Sequence, residues 1–407
     1  MAKTMVKAYG YRWVMLAAFM LMVAVTQALW ITFAPITSIA MDFYHTSDIA
    51  IGLLSIVFMA VYILLVLPAA WLIDTWGLRG AVSLGAALTA FFALTRGLFA
   101  DNFALVFVSQ IGIAIGQPLV LGAITKLAAR WFLLEERATA AGLGTLAIYL
   151  GILAELFLTP LLVNSYGMRT MLLIDGAAAC VAAVFFIVAA REHPPTPAGL
   201  AGQEERSLMF DGLKSMLRQK DFILLLVIFF IGLGMFNGIT TWIEEIVKPN
   251  GFSPEKAGVA GALMLVGGIV GAVVIPLVSD SVRRRKPFVI LALVGLLPGL
   301  VGLTFATSYW LLLVSSFFFG LFLLSAGPIG FQYGAEITLP APEGTSNSML
   351  IVMGQVSGIV FIFGMDAFKS PSGSMTVSLL ALVALTLASV ILALFLKESP
   401  IRDRLRG

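Results

Sequence analysis

Runs of about 20 mostly apolar residues, the length that carries a helix across a bilayer, recur along almost the whole chain. Of its 407 residues, 60% are hydrophobic and only 12% charged. A soluble protein keeps about a quarter charged, so hydrocarbon must surround most of this surface. Lipid offers no partner for a free backbone N–H or C=O, which restricts a spanning chain to helices or closed barrels. Continuous runs, rather than short alternating ones, select helices. The sequence therefore predicts an all-α, multi-pass membrane protein.

The runs number twelve: 12–38, 49–73, 79–99, 103–127, 138–163, 168–190, 222–247, 257–279, 287–306, 309–333, 345–368 and 375–396. With the amino terminus inside, all but five of the 25 basic residues fall in cytoplasmic segments; the exceptions are Arg96, Arg169, Lys248, Lys256 and Lys369. The positive-inside bias then places both termini in the cytoplasm, and the plasma membrane is the expected location. The longest polar stretch, 191–220, divides the chain into an N-terminal six-helix half (1–190) and a C-terminal six-helix half (221–407). Within it, SLMFDGLKSMLRQKD reads either as an amphipathic surface helix or as a plain connector.

Several functions are excluded by what is missing. The single cysteine, Cys180, forms no internal disulfide, and His45 and His193 lack the spacing of a metal or haem site. No metal or cofactor is expected. The net charge of +3 reflects loop bias rather than a nucleic-acid surface, since no basic run alternates with aromatics. No GxxxxGK[ST] phosphate loop and no nucleophile–base arrangement occur, so no enzymatic activity is expected. The first run is too long, and lacks a small-residue cleavage site, to be a removable signal. The expected partners are the bilayer, a small-molecule substrate and a coupling proton or sodium, with the protein a monomer.

Polar residues inside spans carry the rest, because lipid tolerates them only when paired or wetted. Gln27 and Trp30 share one helix face. Glu155, deep in span five, reads as a proton-coupling group, a counter-charge for a cation, or a structural hydrogen bond. Asn237, Thr240, Thr241 and Trp242 lie centrally in span seven. Glu244 is a second proton-coupling candidate, whereas Glu245 is expected to have reached water. Gln110 reads as a tie between helices, and Asp175 and Asp366 as pathway or pairing residues. Glu336 and Glu343 read as gate or cap residues, and Gly261 to Gly271 as a close-packing stripe. Arg96 and Lys126 sit at expected helix ends, which leaves no deep cation to hold an anion.

Two loops repeat a pattern: PAAWLIDTWGLRG (Pro68 to Gly80) after span two and PLVSDSVRRRKP (Pro276 to Pro287) after span eight. With twelve spans, this resembles the major facilitator superfamily, whose loop G-x-x-x-D-R-x-G-R-R is matched at Asp74, Gly77 and Arg79 but not at Ala70 or Thr75. RWFLLEERATA, Arg130 to Ala140, resembles the loop after span four. The resemblance implies the major facilitator fold, with Asp74, Gly77, Arg79, Asp280 and Arg283 as gate residues. GFQYGAEITLPAPEGTS followed by Gln355, together with YRWVML and QALW, is similar to the feline leukaemia virus subgroup C receptor-related family. Those proteins have been described as haem exporters and as choline and ethanolamine transporters. The resemblance implies an aromatic cage for a quaternary ammonium, to which Trp30 and Gln355 correspond. Tyr149 replaces a family glutamine, and Thr241, beside Trp242, replaces a cage tyrosine. The expected function is alternating-access transport of a small organic, choline-like cation. The alternatives are proton-coupled transport of a neutral or anionic metabolite (a vitamin or monocarboxylate) and a non-transporting receptor.

Overall fold

The computed structural model describes residues 9–133, 136–196, 216–338 and 343–399. Helices α1 (Arg12–Ile31), α2 (Thr37–Tyr44), α3 (Asp48–Leu98), α4 (Phe103–Leu121), α5 (Ile124–Trp131) and α6 (Arg137–Ala189) form the N-terminal segment. The C-terminal segment comprises α7 (Lys220–Thr241), α8 (Ile243–Val247), α9 (Pro254–Val282), α10 (Lys286–Phe305), α11 (Tyr309–Thr338), α12 (Glu343–Ala367) and α13 (Thr376–Leu394). Among the described residues, ten helical stretches are long and apolar enough to cross a membrane. SLMFDGLKSMLRQKD lies mostly outside the described residues, as does the side chain of Glu343.

Two of the ten stretches are 51 residues long, far more than one crossing requires. Each breaks at a glycine in a backbone region closed to other residues: Gly77 in α3 (φ 83°, ψ 174°) and Gly167 in α6 (φ 80°, ψ 166°). Gln110 shows what the break in α3 does. Its Nε2 donates to the Leu54 carbonyl while its Oε1 accepts from Arg96. A straight helix would hold residues 54 and 96 about 60 Å apart, so α3 doubles back at Gly77. The second segment of α6 runs beside the second segment of α3, with Gly97 against Leu173 and Gly176 against Leu94.

Following the chain through these reversals defines two sides. The near side carries the start of α1, Gly77, the end of α6 and the end of α13. The far side carries α2, the start of α3, Gly167 and α8. The first expected span is interrupted just beyond Trp30 by a 3-10 turn at Ala34–Ile36, seeded by Pro35. The seventh is likewise interrupted, at Trp242 between α7 and α8. The expected glycine stripe packs closely: a Cβ on Gly271 would strike the Leu321 carbonyl, which lets α9 and α11 touch backbone to backbone.

Gly77 is fixed by a contact as well as by its angles. A Cβ there would meet the Glu192 carboxylate, which accepts from the backbone N–H of Leu78 (2.8 Å) and Arg79 (2.7 Å). That carboxylate caps the helix restarting after the break, where an anion is favoured. Gly77→Ala is expected to lose roughly 1–3 kcal/mol of stability, from backbone strain and displacement of the cap. Thermal unfolding of the purified variant checks this, and an unchanged midpoint would contradict it.

Candidate functional site

Several hydrogen bonds and ion pairs among the described residues join the N-terminal and C-terminal segments on the far side. Glu244 accepts from the Ser38 backbone N–H (2.8 Å) and from its hydroxyl. Lys369, just past α12, bridges Asp48 at the start of α3 and Glu245 on α8, the latter at 2.6 Å. Asn164 on α6 donates to Glu255 on α9. Glu245 is only 4% exposed and ion-paired, so the expectation that it had reached water is corrected. Burial alone would pull the Lys369 amine down; its hydrogen bonds to Asp48 and Glu245 outweigh this and hold it above its ordinary value.

Trp242 completes this seal. It is fully buried, donates its indole N–H to the Ile362 carbonyl at 3.0 Å, and lays its ring against Gly52 of α3. In this conformation it fills the space between the two segments. A side chain at residue 52 would have no room.

On the near side, polar networks form within each segment. Asp74 pairs with Lys126 at 3.0 Å, and Arg130 pairs with Glu192. Arg79 uses its backbone N–H, on Glu192, while its own residue is exposed. In the C-terminal segment Arg285 bridges Asp280 and Glu336, and Glu398 accepts from the Arg285 and Lys286 backbones. Arg283, a gate candidate, caps α9 in a left-handed conformation (φ 56°), and the ion pairs at this end are made by Arg285.

The other main correction lies inside the bundle. Arg96 lies in the last turn of α3, as expected, but is fully buried among α1, α3, α4 and α6 rather than left at the surface. Its Nη2 pairs with Asp175 at 2.9 Å, and its Nη1 donates to Gln110 (3.0 Å) and to the Leu29 carbonyl (3.3 Å). The Phe33 ring lies 5.6 Å from its guanidinium carbon. Glu155 belongs to the same group, facing Thr32, Thr159 and Asp175 with Arg96 nearby. One Glu155 oxygen, Oε1, is buried without a hydrogen-bond partner. Gln110 ties helices together here, as expected.

Met59, near Trp30, and Asn237, near Gln355, meet at Gly358 between the segments. Trp30, 5% exposed, donates its indole N–H to the Ser55 carbonyl at 3.2 Å. One turn on from Ser55, the Met59 sulfur abuts Gly358 of α12, and so does the Asn237 amide of α7. Asn237 also donates to the Gly354 carbonyl at 3.2 Å, beside the half-buried Gln355. The surroundings of Trp30 and Gln355 are thereby linked through Met59 and Asn237. Gln27 is buried, and its amide nitrogen has no partner; nor has the Thr241 hydroxyl. Tyr149 is half-buried on α6, almost two turns from Glu155. Glu155 itself joins Arg96 rather than this group.

Sequence reasoning missed Arg96, Arg285, Glu192 and the Asp48–Lys369 pair. Arg96 carried a signal: a basic residue in the apolar run AFFALTRGLFA demands an acid, and Asp175 was available. Asp48 and Lys369, 321 positions apart, carried none.

A fold of doubled-back apolar helices with polar networks at both ends and buried charges between them defines a polytopic membrane carrier. The chain belongs to the Major Facilitator Superfamily, whose family model matches residues 18–362. It is 32% identical over 387 residues to Solute carrier family 49 member A3 of Danio rerio, covering 90% of this chain and 81% of that protein. It is also 27% identical over 421 residues to the choline/ethanolamine transporter FLVCR2 of Homo sapiens, covering 98% and 80%. These likenesses match the receptor-related family that the motifs resemble. The fold is similar to that of a bacterial homolog of the human lysosomal transporter Spinster, with TM-score 0.74 at 15% identity, covering 95% of this chain and 97% of that one. The nucleoside transporter NupG is similar at TM-score 0.70 and 12% identity, covering 93% and 99%.

Proposed function

We propose that this chain is a secondary transporter that moves a small organic cation of choline type across the plasma membrane by alternating access. In this reading α3 and α6 each supply two spans, giving twelve in two six-helix halves, 1–190 and 221–407, joined by 191–220. Both termini face the cytoplasm, so the near side is cytoplasmic and the far-side seal closes the exterior. Asp74, Gly77, Arg79, Asp280 and Arg285 then belong to the inner gate. The halves rock about the seam between Trp30 and Gln355.

The observation that carries the substrate class is the likeness to FLVCR2 across 98% of the chain; Trp30 and Gln355 correspond to cage residues by the motif resemblance alone. An indole face attracts a desolvated quaternary ammonium by about 2 kcal/mol or more. Gln27, Asn237 and Gln355 offer polar partners beside it. Trp30 is almost covered here, so binding requires the seam to loosen around Met59. An anion finds less support, because the deep cation Arg96 already engages Asp175, Gln110 and Leu29.

A thermal-shift screen of the purified protein tests the substrate class. Choline and ethanolamine are expected to stabilise it, by about 2.7 kcal/mol at a hundred times Kd, and Trp30→Ala is expected to abolish that shift while remaining folded. Stabilisation by carboxylates or neutral vitamins alone would replace the cation reading.

A further inference from the structure

We infer that Glu155, Asp175 and Arg96 form a proton-binding site in which the two carboxyls share one proton beside a single guanidinium, and that a proton is the ion coupled to transport. The coupling half rests on the transporter reading above; the proton site does not.

Charge counting starts the argument. Arg96, Asp175 and Glu155 are 0%, 8% and 7% exposed. With both carboxyls ionised, the cluster would carry one uncompensated negative charge inside a membrane bundle, a state that proteins avoid. One added proton makes it neutral. The two carboxyls hold that proton between them: Asp175 accepts a charge-assisted bond from Arg96, and Oε1 of Glu155 is buried without a partner.

Among the described residues, the other groups that contact the site carry no charge. Thr32 from the end of α1, Thr159 of α6 and Gln110 of α4 are neutral. Tyr44 of α2, a phenol, also lies near Arg96, and Asp101 beyond it pairs with Arg169. From the C-terminal segment, Glu255 of α9 reaches Asn164 and Glu244 of α8 reaches Ser38, both at the far side.

The position suits coupling. Leu156, next to Glu155, is the side of α6 on which α9 packs: a Cβ on Gly258 would strike the Leu156 carbonyl, and Gly261 lies against its side chain. Rocking of the halves therefore moves the backbone that carries Glu155. Loosening admits water, and the carboxyl releases its proton, becoming a carboxylate; resealing requires the proton back.

Infrared difference spectroscopy of the purified protein tests the site without any substrate. At neutral pH the wild type is expected to show a protonated, buried carboxyl band that shifts on slow deuterium exchange. Glu155→Gln leaves a neutral Asp175–Arg96 pair, and Asp175→Asn leaves Glu155 to neutralise Arg96, so both substitutions are expected to remove the band. Its absence from the wild type, a reading that requires no variant, would overturn the proposal. So would its survival in either variant. In proteoliposomes, substrate movement by the wild type is expected to acidify or alkalinise the lumen, and movement by Glu155→Gln is not. Transport without proton movement in the wild type would refute coupling while leaving the carrier reading intact.

Discussion

Replacing Arg96 by methionine is expected to cost roughly 3–5 kcal/mol and to leave little folded protein. The substitution keeps much of the volume but strands Asp175 and Glu155, both buried, with no cation. It also removes a donor from Gln110, from Thr32 and from the Leu29 carbonyl, where the first span breaks. Arg96→Lys is expected to recover only part of the loss, because an ammonium cannot reproduce the guanidinium fork that reaches α1, α4 and α6 together. The yield of monodisperse protein and its thermal midpoint check this. A methionine variant as stable as the wild type would show that the cluster is not held together by charge.

Lys369→Met is expected to act on conformation rather than on folding. Lys369 is partly exposed, so its pairs with Asp48 and Glu245 fall between surface and fully buried bridges; removing them is worth roughly 1–3 kcal/mol. That biases the two-state equilibrium by about 5–150-fold toward a conformation open on the far side. Spin labels at Ser47 and Ser370, introduced after replacing Cys180, should report a longer mean separation in the variant. An unchanged distance distribution would show that Trp242 and Glu244 close that side unaided. The sign of the pH effect also follows. The folded amine lies above its ordinary value, so the stabilisation is fully present below about pH 10.4 and is lost as pH rises through the folded value. Opening of this side between pH 6 and 8 would therefore have to arise elsewhere.

Much of the architecture was legible because bilayer thickness imposes a length on each run. The breaks at Gly77 and Gly167 fall within or beside the short gaps between expected spans. Gln110, Glu155, Asp175 and the glycines of α9 stood out as exceptions to an apolar rule, and they do make buried contacts. What was not legible shares a cause: the environments of Glu245, Trp242 and Arg96 are set by helices distant in sequence, which depth along a single helix does not reveal. Trp242 is covered by Gly52, Glu245 by Lys369, and Arg96 by Asp175. Charge pairing inside the membrane would have found the last of these; nothing local could have found the first two. The cage candidates were identified by resemblance, which no local pattern replaces; Met59 and Asn237 connect only their surroundings.

Counterflow of labelled choline in proteoliposomes tests the central claim most directly. With unlabelled choline trapped inside, wild-type protein is expected to accumulate label transiently above equilibrium, since a carrier exposes one site alternately to the two sides. Trp30→Ala, folded but without its indole, is expected to lose that overshoot. A wild type that exchanges no label, or a Trp30→Ala variant that overshoots as well as the wild type, would contradict the account.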